Sequence, residues 1–238
     1  MDQPLKFALT FFSRTYERIL LIVLFIQVPL LAAYFFIANY IYAVTPTYGS
    51  LYSAADIYNA WFMIMFFLFA QVPFLYFWHY EESGHEKPLR YAFLQTMIQS
   101  FHFFVFAVAI SLLVTIGFAA FVLPGLIILG LFISAPVIAI MDQKSVWKSV
   151  RESIRLFKRN HWKIMLLMIF FSITELAVSV FAQTMIISIT ESFMAIVLSH
   201  LVLNTIFLPL FYLTLAVLVA KWRQELGLFE TGEELTTY

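Results

Sequence analysis

Apolar residues run nearly unbroken through five stretches of the chain, 19–44, 57–78, 103–141, 162–186 and 195–220, with polar residues gathered between them. A helix crosses about 30 Å of hydrocarbon with about 20 apolar residues, so four of these stretches are single spans. The stretch at 103–141 is too long for one. As a single helix it would extend about 58 Å at 1.5 Å per residue, more than tilt absorbs. Inside it stand Pro124 and Gly125. Gly just past a helix end and Pro in the first turn of the next helix are boundary signals. The pattern therefore predicts a tight hairpin with Pro124-Gly125 at its tip and spans at 103–122 and 124–141. The expected fold is all-α: a single six-span membrane domain over 1–224 and an acidic tail over 225–238.

Three polar segments with helical periodicity precede the odd-numbered spans, at 4–18, 87–102 and 144–161, and are expected as interfacial helices. Two are alike: "FSRTYERILLIVLF" from Phe12 aligns without a gap to "FKRNHWKIMLLMIF" from Phe157. The alignment pairs Arg14 with Arg159, Arg18 with Lys163 and Ile19 with Ile164. With "LRYAFLQTMIQSFHFF" from Leu89 as a fainter third copy, the chain reads as three units, each a lead-in helix and a transmembrane hairpin. "QVP" at Gln27 and again at Gln71 reads as coincidence between two kinked helices.

Charge fixes an expected orientation. All 14 Lys and Arg fall before the first span, in the second and fourth loops, at the entrance to span five, or after span six. The other three loops contain none. Cytoplasmic loops collect Lys and Arg, so both termini are expected in the cytoplasm. Merging spans three and four would put the most basic loop outside. Trp78, Trp162 and Trp222 at inner ends, with Tyr40, Tyr42, Tyr58 and Trp61 at outer ends, fit an interfacial aromatic belt. The first apolar run is too long for a signal-peptide core and lacks a cleavage site of small residues, so it is expected to stay as an anchor.

Composition agrees and narrows the chemistry. Hydrophobic residues are 63% and charged residues 12%, against roughly half and a quarter in soluble domains. The chain has no cysteine, so disulfides, thiolate catalysis and sulfur-ligated zinc are excluded. The motifs G-x-S-x-G, Walker loop and H-E-x-x-H are missing. A non-enzymatic protein without cofactor or metal is expected. "HYEESGHE" offers His79, Glu82, His85 and Glu86 to a divalent ion but lacks a fixed ligand geometry, and reads as a solvated turn.

Two groups of residues are candidates for function. In "KSVWKSVRESIRLFKRNHW", Trp147, Val150, Ile154, Phe157 and His161 recur at helical spacing, while Lys148, Arg151, Arg155, Lys158 and Arg159 fill the rest. This basic amphipathic helix is expected at the inner interface, its cations on anionic lipid headgroups. A nucleic-acid or calmodulin-like role is the less favoured reading. The second group is intramembrane. Glu175 lies near the middle of span five, where a carboxylate is costly and suggests function, and Ser172, Ser179 and Gln183 share its face. His200 and Asn204 on span six complete a candidate polar site. The alternative is a protonated Glu175 that joins helices by hydrogen bonds. Glu225, Glu230, Glu233 and Glu234 make the tail acidic, a solubilising end or a partner for the basic helix.

The run "LPGLIILGLFISAPVIAIMDQKSVWKSVRESIRLFKRNHWKIM" resembles the membrane domain associated with bacterial glycerophosphodiester phosphodiesterases and related stand-alone six-span proteins. The resemblance rests on Leu123-Pro124-Gly125, Pro136, the polar break near Asp142, Val150, Ser153, Leu156 and Trp162. It covers about a fifth of the chain closely, and nothing here corresponds to the phosphodiesterase barrel. It implies a bacterial inner-membrane module tied to lipid or envelope physiology. Membrane lipids of the anionic inner leaflet are the expected partners, with a second copy or another membrane protein left open. The favoured function is a lipid-interacting or membrane-homeostasis module. A small transporter using Glu175 and a self-protection protein against a membrane-active peptide are the alternatives.

Overall fold

The computed structural model describes residues 4–45, 53–190, 192–225 and 227, which are helical apart from short turns and contain no strand. Six helices are long and apolar enough to cross a membrane. Apart from Glu225 and Gly227, the acidic tail lies outside the described residues, as do Glu191 and most of the first loop.

The N-terminal segment is a lead-in helix α1 (Pro4–Arg14), a break at Thr15, then α2 (Tyr16–Ile22), a π-helical turn at Val23–Gln27 and α3 (Val28–Val44). Pro29 explains the π turn: it has no N–H to offer the preceding turn, and widening by one residue relieves its ring. A capping box starts α4 (Ala54–Glu82): Ser53 Oγ accepts from the Asp56 backbone N–H, and the Asp56 carboxylate accepts from the Ser53 N–H. Helix α5 (Pro88–Ala120) runs through both the lead-in expected at 87–102 and the third span, so these are one rod rather than two helices.

The hairpin between spans three and four exists, but its tip is Phe121. This residue is extended between α5 and α6 (Val122–Phe132), which places Pro124 and Gly125 inside the first turn of α6. Pro124 acts as expected of a first-turn proline. Gly125 is needed for packing: a Cβ there would overlap the Phe118 ring, and one on Gly117 would come within 3.0 Å of the Gly125 Cα. The fourth span is itself broken, with α7 (Ala135–Met141) starting after a turn at Ile133 and Ser134 and carrying Pro136 near its start. Helix α8 (Val146–Ile189) joins the third lead-in to span five across a kink at Asn160 (φ −123°, ψ 24°). Helix α9 (Phe193–Glu225) is the last span.

The repeat seen in the sequence has a structural counterpart. Asn160 aligns with Thr15, and both break the helix between lead-in and span at the same register. Burial follows the alignment as well: Ala8 with Ser153, Phe11 with Leu156, Ile19 with Ile164, Ile22 with Leu167 and Val23 with Met168 are all buried. Each hairpin ends in a helix that carries a proline, Pro73, Pro136 or Pro209, followed by a buried run. These runs of α4, α7 and α9 pack on one another at the end of the bundle where the basic residues gather. Around them the lead-ins close a ring, α1 on α9, the start of α5 on α4, and the start of α8 on α7. Lipid tails are as apolar as leucine, so this core is held by close packing and satisfied polar groups rather than by expulsion of water.

A charged network fastens the same end. Arg223, only 2% exposed, donates through both terminal nitrogens to Asp142 (2.9 and 2.8 Å) and through Nε to Glu152 (2.7 Å). Lys144 pairs with both acids, at 2.6 and 2.9 Å. Burial works against the charge on Asp142, but hydrogen bonds from Arg223 and Lys144 and their charges hold its carboxyl below the usual range. Burial likewise disfavours the Lys144 ammonium, and its bonds to Asp142 and Glu152 outweigh this and raise its pKa.

Candidate functional site

The lead-in part of α8 divides its residues sharply. Val146, Ser149, Ser153, Leu156, Phe157 and Asn160 are buried against the protein, chiefly on α6 and α7. Small residues permit the approach: Ser153 Oγ donates to the Leu131 carbonyl at 2.6 Å, and Gly130 leaves room for the Phe157 ring. The face expected from the sequence is therefore rotated. Phe157 is buried against the protein and not turned to the acyl boundary, Val150 and Ile154 are partly covered, and Trp147 and His161 are exposed. Lys148, Arg151, Arg155, Lys158 and Arg159 are all exposed, and among the described residues none forms an ion pair. The acid within this segment, Glu152, turns inward to Arg223 and Lys144 and so does not compensate the basic face.

Away from the basic end the bundle loosens, and a cavity of about 470 Å³ opens among the π-helical turn, α3, α4, the end of α5, α6, α8 and α9. Its walls are mostly aromatic and aliphatic, with Gln27, Tyr34, Ser172, Glu175 and Asn204 as polar exceptions. Glu175, Asn204 and Ser172 thus line one cavity. The structure does not add the His200 side chain, whose Nδ1 is 3.0 Å from Ser179 Oγ. Asn204 reaches only the backbone of His200, donating from Nδ2 to its carbonyl at 3.0 Å.

Gln27 and Tyr34 escaped the sequence reading. Gln27 is 1% exposed, and its Nε2 donates to the Asn204 carbonyl at 2.8 Å while its Oε1 has no partner among the described residues. Tyr34 donates to Asn59 Oδ1 at 2.9 Å. The repeat held the signal: extending its register beyond Phe25 sets Gln27 opposite Ser172 and Leu30 opposite Glu175, and all four line the cavity. At the second loop, His85 meets the rings of Tyr80 and Tyr91 edge-on. Among the described residues no group of three or more His, Asp or Glu side chains is arranged to hold a metal.

Comparison of the chain with protein-family models, with curated proteins and with solved structures finds no match.

Proposed function

We propose that this protein is a non-enzymatic, multi-pass protein of the bacterial cytoplasmic membrane that engages anionic lipids of the inner leaflet through α8. The observation that carries the reading is the exposed set Lys148, Arg151, Arg155, Lys158 and Arg159, which forms no ion pair among the described residues. Trp147 and Trp162 are exposed beside it, at 46% and 74%, and suit the headgroup level. Each cation near an anionic leaflet contributes about 1 kcal/mol, so the set retains such lipids even when salt screens part of it. Basic residues gathered on one side of six spans support cytoplasmic termini. The resemblance to the phosphodiesterase-associated membrane domain supports this reading, and the role inferred is membrane homeostasis.

The test is mass spectrometry of lipids that co-purify in native-lipid discs, for wild type and for a variant with Lys148, Arg151, Arg155 and Arg159 neutralised. Anionic lipid enriched by wild type and lost in the variant is the expected result. Bulk-like lipid in both refutes the reading. Because the chain has no native cysteine, topology is tested separately by labelling Ser83→Cys and Ser192→Cys with an impermeant maleimide. Only Ser192→Cys should react from outside intact cells.

The cavity around Glu175 favours a second reading, a small transporter, in which Glu175→Gln abolishes a measurable flux.

A further inference from the structure

We infer that the cavity around Glu175 is a binding site for a lipophilic amine, an apolar body carrying a protonated nitrogen with N–H donors. The inference rests on the cavity alone and not on the basic face of α8. Its volume, about 470 Å³, falls within the roughly 300–1,000 Å³ of drug-sized sites. Most of the wall is apolar, and Phe67, Phe118, Phe171, Phe207 and Phe211 contribute ring surface that suits a cation as well as a hydrocarbon.

The polar part of the wall selects the head. Gln27, Asn204 and Tyr34 each direct a donor into the protein, to the Asn204 carbonyl, the His200 carbonyl and Asn59 Oδ1. That leaves more acceptors than donors: the buried Gln27 Oε1, without a partner among the described residues, the Asn204 side-chain oxygen and the Glu175 carboxyl, beside the Ser172 hydroxyl, which can donate or accept. Among the described residues no Lys, Arg or His lines the cavity. A carboxylate in a low-dielectric site is costly unless paired, and no described residue of the wall supplies the pairing charge, so ionised Glu175 is stabilised when a ligand brings it. An ammonium supplies that charge together with N–H donors for the neighbouring oxygens. An anionic lipid head would meet the Glu175 carboxyl and, among the described residues, no cation in this wall, and is disfavoured.

Two sources share this chemistry, a free lipophilic amine and the ethanolamine head of a membrane lipid. The experiment uses the full chain in phosphatidylcholine nanodiscs and rhodamine 6G, a fluorescent lipophilic cation with N–H donors, read by polarisation against empty discs. Binding is expected to be saturable, competed by dodecylamine but not by dodecanol, and at least about tenfold weaker in Glu175→Gln. It should be unchanged when Lys148, Arg151, Arg155 and Arg159 are neutralised, which separates failure here from failure of the inner-leaflet reading. Ala60→Trp fills the cavity from α4, leaves Glu175 in place and should also remove binding; unfolding midpoints of both variants confirm that they remain folded. Discs containing phosphatidylethanolamine distinguish the sources. Lost dye binding in them assigns the lipid head, and retained binding assigns a free amine. Equal binding by Glu175→Gln, equal competition by dodecanol, or no saturable binding to wild type overturns the inference.

Discussion

Replacing Arg223 with methionine tests whether the charged network holds the basic end together. The side chain is 2% exposed and makes three short bonds to Asp142 and Glu152, which are themselves only 27% and 16% exposed. Methionine fills much of the space, so the loss is mainly electrostatic. Removing one partner of a buried ion pair costs about 3–5 kcal/mol, and Lys144 remains to compensate both acids, so the lower end, about 3 kcal/mol, is expected. For a chain of this size 1 kcal/mol corresponds to about 2–4 °C, which gives a fall of roughly 6–12 °C in the unfolding midpoint. Differential scanning fluorimetry in nanodiscs reads it, and the native tryptophans serve as the probe. Arg223→Lys should fall between the two, because an ammonium cannot reproduce a fork that serves Asp142 and Glu152 at once. Adding Asp142→Asn and Glu152→Gln to Arg223→Met should recover part of the loss, since the stranded charges are then gone. A midpoint for Arg223→Met within about 2 °C of wild type would refute the reasoning.

The same network gives a pH dependence. Folding lowers the pKa of Asp142, so the stability it contributes is complete above its ordinary value of 3.8 and is lost as pH falls through the lowered one. Folding raises that of Lys144, so its share is complete below 10.5 and is lost as pH rises through the raised value. Unfolding midpoints across an acid series should decline less for Asp142→Asn than for wild type, and a parallel decline would remove Asp142 as the cause. Gly130→Leu should cost about 1–3 kcal/mol by forcing Phe157 from its place, and limited proteolysis should then cut the start of α8 faster. Ser153→Ala removes the bond to the Leu131 carbonyl and should cost about 1 kcal/mol; an unchanged midpoint would show that water replaces the hydroxyl.

The spans were legible because hydrocarbon thickness imposes a length that sequence reports directly. Helix ends were harder. The junction of polar lead-in and apolar span marks a change of surroundings and not of backbone, so α5 passes through it unbroken, whereas Thr15 and Asn160 interrupt theirs. Pro124 and Gly125 pointed to a real hairpin but misplaced its tip, because a first-turn proline acts just inside the new helix and Gly125 answers to packing against α5. The charged network was invisible in the pattern. Arg223 lies 71 positions from Glu152 and looked like one more positive-inside residue. Helical spacing joins His200 to Asn204, and antiparallel register sets Asn204 near the depth of Glu175, but these fix a shared face and depth and not which neighbour each side chain meets.

The repeat connects these features. The first and third units break at Thr15 and Asn160, so each lead-in can turn onto the ring at the basic end while its span points away from it. That end is tied twice, by packed runs of α4, α7 and α9 and by Arg223 with its acids. The spans that follow the two breaks have little direct contact with each other and are the least buried of the six. A bundle clamped at one end and loose between two matching spans leaves its gap where those spans face each other, and the gap holds Gln27 from one and Ser172 from the other. Glu175 stands where the first unit has Leu30. The carboxyl is thus a point at which the two halves of the cavity wall differ, and an apolar cleft inherent in the architecture gains an acidic group there.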